Sequence, residues 1–107
     1  MDELIEKVKD WGLSKGIIGP NGKGTLLSQL SKTQEELTET RDAAVLDRSG
    51  VTNIKIDIMD GIGDCTVTLI LAAEIAGLDF KECLQFAYDE IKGRTGKMIG
   101  GTFVKDA

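Results

Sequence analysis

The sequence predicts an all-α fold: a four-helix-type bundle with a short basic tail or hairpin at its C-terminal end. Three observations carry this. Apolar residues recur every three or four positions along four separate stretches, the period of an α-helix. Residues that favour strands are sparse, with aromatics at 5% of the chain, and outside the tail only "NIKID" alternates. The single proline and a run of glycines fall in a gap between two of the periodic stretches, where chain reversals are needed. A length of 107 residues with 41% hydrophobic content is enough for one packed domain, residues 1–107.

The first helix is expected over about 2–15, with Asp2 as N-cap and Leu4, Ile5, Val8 and Trp11 on one face. "KGIIGPNGKG" follows as a glycine-rich loop. The second helix is expected over about 25–46, starting near Thr25, with Leu26, Leu30, Leu37 and Ala44 as its apolar stripe. "DRSGVTN" reads as a polar turn. The third helix covers about 54–76 and stops at Gly77, a natural residue for a left-handed C-terminal cap. One of its lines runs Asp57, Asp60, Asp64, Val67, Leu71. The other side holds Ile54, Ile58, Ile62, Leu69 and Ala73, so its later half needs cover on both sides. The fourth helix opens at Asp79, with Glu82 as capping-box partner, and carries Phe80, Leu84, Ala87 and Ile91. In the tail, "MIGGTFV" fits a hairpin turning at Gly100–Gly101.

Net charge is −5, which argues against a binder of nucleic acid polymers, since these need a basic face. No apolar run is long enough to span a bilayer, and the charged start, "MDELIEKVKD", is unlike a signal peptide. Cys65 and Cys83 lack a CxxC spacing and read as reduced thiols, so a cytoplasmic setting is expected. The chain has no histidine, which excludes Ser-His-Asp and Cys-His catalysis and most zinc sites. "GPNGKGT" lacks the P-loop spacing and a preceding strand. "DIMDGIGD" lacks the alternate ligands of an EF-hand.

The chemistry-bearing residues are acidic. In "KTQEELTET", Glu35, Glu36 and Glu39 crowd one side of the second helix, with Lys32 spaced to soften their repulsion. On the third helix Asp57, Asp60 and Asp64 share a line that continues into apolar residues, so they point toward a partner element. One reading is a solvated acidic face. The other sets the two clusters opposite each other as an oxygen-only cage, the donor set that Mg²⁺ or Mn²⁺ prefers, usually together with substrate phosphates. Gly61 and Gly63, beside Asp64, mark either a close approach of another group or a kink.

"QLSKTQEELTE" (29–39) and "DGIGDCTVTLILAAEIAGLDFKECLQFAYDEIKGRTGKM" (60–98) together resemble the MazG-like nucleoside triphosphate pyrophosphohydrolases of the all-α NTP pyrophosphatase group. The tail looks most like small phage-encoded members, whose setting would be the host cytoplasm. The E-E-x-x-E motif matches at Glu35, Glu36 and Glu39. The second motif, E-x-x-D, departs: if Asp64 is its aspartate, Gly61 stands at the glutamate position, and Asp60 or a shifted Asp57/Asp60 pair would substitute.

The resemblance implies Mg²⁺-dependent cleavage of a (deoxy)nucleoside triphosphate between the α and β phosphates, giving a monophosphate and pyrophosphate. The metal ligands would be Glu36, Glu39, Asp60 and Asp64. Glu35 would be a further ligand, or would orient or deprotonate the attacking water. Gln29 and Lys32 lie in the helix-two motif and would contact substrate. Lys92, Arg94 and Lys97 would grip the polyphosphate, or form a solvated basic end. Asp89 stands where the family often has Asn. Trp11 would stack on a base, or fill the core with Leu4 and Val8. Family members are dimers or tetramers, and a homodimer or homotetramer would also cover the third helix.

Overall fold

The computed structural model describes residues 2–48 and 54–107. The order is α1 (Asp2–Ser14), α2 (Leu26–Arg48), α3 (Lys55–Ile75), α4 (Phe80–Ile91), β1 (Gly96–Ile99) and β2 (Thr102–Lys105). The fold is all-α, four helices with one small antiparallel hairpin. No single helix among the described residues is long and apolar enough to cross a membrane. Positions 49–53 of the expected polar turn lie outside the described residues.

The helix ends follow local chemistry. Thr25 caps α2: its Oγ1 accepts from the Ser28 amide at 3.0 Å, and its own amide donates to Ser28 Oγ at 3.0 Å. This reciprocal pair satisfies two otherwise orphaned donors. Gly77, at φ +76°, ends α3. The Leu78 amide reaches Ala73 O at 2.8 Å and the Gly77 amide reaches Glu74 O at 3.0 Å, which closes the last turn as a Schellman motif. Asp79 caps α4 by accepting from the Lys81 amide at 3.1 Å, and no return bond from Glu82 exists among the described residues. Asp2 is not a cap. It lies within α1 and holds Lys81 Nζ at 3.0 Å, tying the starts of α1 and α4 together.

α3 is the centre. It packs along α2 and is met by α1 and α4. Its later half is the best-covered stretch: Ile70, Leu71, Ala72 and Ala73 are consecutive and buried, with Leu71 the most deeply placed side chain, while Leu69 and Glu74 remain exposed. From α1 and the loop after it come Ile5, Gly12 and Ile18. A Cβ at Gly12 would sit 2.5 Å from Leu71 Cδ2, so the glycine sets how closely α1 approaches. Of the expected α1 face, Ile5 is buried and Val8 half-buried, whereas Leu4 and Trp11 are exposed.

The α2–α3 seam differs from the sequence expectation. α2 turns Gln29, Thr33, Glu36, Thr40 and Ala43 inward, while Leu26, Leu30, Leu37 and Ala44 stay exposed. The reason is close approach. Thr33 Oγ1 and Thr68 Oγ1 share a hydrogen bond of 2.7 Å, Cys65 Sγ donates to Thr33 O at 4.0 Å, and Gly61 lies against Thr40. Small hydroxyl-bearing residues allow this proximity, and their polar groups remain satisfied. Among the described residues, the leucine stripe lies on a neighbouring strip that is only partly covered.

The same holds elsewhere. Ile56, Met59 and Ile62 on α3 are exposed, and α4 has no buried residue, so its stripe of Phe80, Leu84, Ala87 and Ile91 is only partly covered. The Cα radius of gyration is 16.4 Å, against about 13 Å for a compact domain of this length. The hairpin follows the expected turn, with Gly100 and Gly101 at φ +58° and +81° and Met98 paired with Phe103.

Candidate metal and nucleotide site

α2 and α3 lie side by side, so acidic residues one turn apart on each helix face a shared gap. Glu36, Glu39 and Asp42 from α2 and Asp57, Asp60 and Asp64 from α3 line one cavity of about 390 Å³, floored by Thr40, Ala43 and Gly61. A second cavity, of about 460 Å³, lies on the other side of Glu36 and Asp64. It is lined by Trp11, Gln29, Lys32 and Glu35, with Ile17, Ser28, Val67, Thr68 and Leu71 behind them. Glu36 and Asp64, which line both, thus form the wall between a carboxylate-rich chamber and a mixed aromatic, amide and cationic one. Trp11 and Asp64 also border a third hollow with Lys7, Val8 and Val67.

Glu36 is largely enclosed, with its side chain only 15% exposed. Burial pushes its carboxyl above the ordinary glutamate value. The negative charges of Glu39 and Asp64 push it further, and Lys32, 3.7 Å away, opposes them. Lys32 also stands 4.0 Å from Glu35.

Several sequence expectations meet here. Glu36, Glu39, Asp60 and Asp64 line one cavity, joined by Asp57, while Trp11, Gln29 and Lys32 line the next. Glu35 does not join the acidic chamber. It lines the neighbouring cavity, because its position on α2 turns it to the other side of Glu36. Trp11 is not a core residue, being 48% exposed. Asp42 was missed by sequence reasoning, although its spacing after Glu36 and Glu39 extends one three-residue step and would have revealed it.

The basic candidates stand apart. Asp89 accepts hydrogen bonds of 3.1 Å from Gln85 Nε2 and from Lys92 Nζ on the exposed side of α4. Arg94 and Lys97 are exposed at the hairpin base. None of these lines any of the three cavities.

The donor chemistry of the acidic chamber fits a hard divalent cation: every titratable group in it is a carboxylate. Among the described residues, however, no three acidic or thiol side chains converge closely enough to hold one ion. Like charges without a counter-charge lower their energy by turning apart. Comparison with protein-family models, curated proteins and solved structures returned no match.

Proposed function

We propose that this chain is a Mg²⁺-dependent nucleoside triphosphate pyrophosphohydrolase. It would cleave a ribo- or deoxyribonucleoside triphosphate between the α and β phosphates. The observation that carries the reading is the shared wall: Glu36 and Asp64 separate a carboxylate chamber suited to a cation from a chamber suited to a nucleoside. The resemblance of Glu35, Glu36, Glu39 and Asp64 to the MazG-like pattern also supports it.

On this reading Glu36, Glu39, Asp60 and Asp64 would hold Mg²⁺, or Mn²⁺ in its place, and Asp57 and Asp42 would add negative charge. When bound, the ion would neutralise the polyphosphate and make a coordinated water more acidic. Glu35, near Lys32 in the second chamber, orients the attacking water or takes its proton. Lys32 meets phosphate oxygens, Gln29 offers an amide to the sugar or base, and the half-exposed Trp11 ring offers a stacking surface.

The exposed apolar faces of α2, α3 and α4 support a homodimer or homotetramer as the working form.

The test is pyrophosphate release from the common NTPs and dNTPs, with and without Mg²⁺, with products identified. Metal-dependent monophosphate plus pyrophosphate is expected, and Glu39→Ala or Asp64→Ala should abolish turnover while leaving helicity intact. Retained turnover in either variant overturns the assignment.

A second reading is a helical nucleotide-binding or protein-interaction module without catalysis. Gly61 favours it. That position stands where the second motif has glutamate, and the Thr40 side chain closes it to any larger residue. Nucleotide or Mg²⁺ binding with no release from any substrate would select this reading.

A further inference from the structure

The C-terminal hairpin is closely specified, yet among the described residues it has little to pack on. Its turn uses two left-handed glycines, and its open end is tied by Thr95 Oγ1 donating to Asp106 Oδ2 at 2.8 Å and the Asp106 amide donating to Thr95 O at 2.9 Å. Yet every residue of both strands is exposed, including Met98, Ile99, Phe103 and Val104, and among the described residues the hairpin has no extensive packing against any helix. A two-stranded hairpin alone is marginal in water and needs a surface to lie on.

Charge indicates which surface. From Lys92 to the end, Lys92, Arg94, Lys97 and Lys105 stand against Asp106 alone, in a chain whose net charge is −5. The acidic chamber opens between α2 and α3, and the exposed Leu46 lines it together with Ala43. An arm that is basic and apolar therefore matches a face that is acidic and apolar. One chain does not bring the two together; two copies can.

We infer that the C-terminal hairpin of each chain docks on the α2–α3 acidic face of a second copy. Arg94 and Lys97 then stand beside carboxylates that their own chain does not reach. For this one consequence the inference rests on the hydrolase reading: the cations that hold the polyphosphate come from the second copy, and an isolated chain has an incomplete site.

The test is a charge exchange read by sedimentation of the full chain at low salt. One variant reverses the arm, Arg94→Glu with Lys97→Glu. The other reverses the face, Asp57→Lys with Asp60→Lys. Each alone sets like charges together and should lose self-association by about tenfold or more, and an equal mixture should recover it, because both contacts in the mixed pair are then attractive. Recovery also shows that both variants are folded. Self-association of the arm variant at the wild-type level, or a mixture no better than its components, overturns the inference. A benzoylphenylalanine at position 103, in a mixture of ¹⁵N-labelled and unlabelled chains, gives a second readout. Cross-links joining heavy and light chains through α2 or α3 peptides support the docking, and cross-links within one chain alone refute it. Neither measurement uses turnover, so failure of the hydrolase reading and failure of the docking are separate results.

Discussion

Adding one methyl group at two glycines of α3 should give opposite effects. A Cβ at Gly61 would collide with Thr40 Oγ1 and lie 2.9 Å from Thr40 Cβ and 3.0 Å from Thr40 Cγ2, whereas a Cβ at Gly63 would meet nothing within 4 Å. In both cases alanine gains about 1 kcal/mol of helix propensity over glycine. At Gly63 that gain stands alone, so Gly63→Ala should stabilise by about 0.5–1 kcal/mol. At Gly61 it is opposed by overpacking of about 1–3 kcal/mol. Threonine is β-branched and stiff, and its hydroxyl donates to Glu36 O at 2.7 Å. Turning it aside would lose a further ~0.5–1.5 kcal/mol. Gly61→Ala should therefore destabilise by about 1–3 kcal/mol, and the two melting temperatures should differ by roughly 10 °C or more. The assay is thermal unfolding by far-UV circular dichroism at one protein concentration, with Gly61→Ala/Thr40→Ala as relief control. Gly61→Ala melting at or above the wild type would refute the close-approach account of the seam.

Other perturbations probe the site and the caps. The Glu36 carboxyl lies above its ordinary value of 4.5, so the folded chain binds this proton more tightly than the unfolded one. That stability is fully present below about pH 4.5 and is lost as pH rises through the raised value. Glu36→Gln should therefore raise the melting temperature at neutral pH in a chelator and flatten its dependence on pH; an unchanged slope would remove the electrostatic argument. Asp79→Ala removes the α4 cap and should cost about 1 kcal/mol in denaturant unfolding. Trp11 is the sole tryptophan, so adding a nucleotide should change the intrinsic fluorescence. Trp11→Phe should raise KM more than it changes kcat, and equal losses in both would place the ring outside the nucleotide chamber.

The helix count, the cap at Gly77 and the hairpin turn at Gly100–Gly101 were legible because each rests on local chemistry. The α2 face was not. Periodicity marked its leucines as the inward stripe, but α2 meets α3 through Thr33, Thr40 and Ala43, since small residues permit an approach that leucines prevent. A stripe left exposed looks the same in sequence as one that fills a core. The acidic cluster was legible by spacing, apart from Asp42. Glu35 was misplaced because adjacency along the chain says nothing about which side of a wall a helix residue takes. The separation of Lys92, Arg94 and Lys97 from the carboxylates depends on how α4 leaves α3, which no local pattern encodes.

The pairing of α2 with α3 also bears on the order of folding. Helices that are neighbours in sequence form local contacts, and local contacts form early. The carboxylates of Glu36, Glu39, Asp57, Asp60 and Asp64 would then be gathered before α1 and α4 have closed around Leu71. Repulsion among them would oppose the nucleus itself, not only the finished fold. If a divalent ion belongs in that chamber, it should hasten refolding as well as slow unfolding. Stopped-flow refolding at matched ionic strength, with Mg²⁺ against Na⁺, would register the difference in the folding limb; a change confined to the unfolding limb would mean the acids meet late.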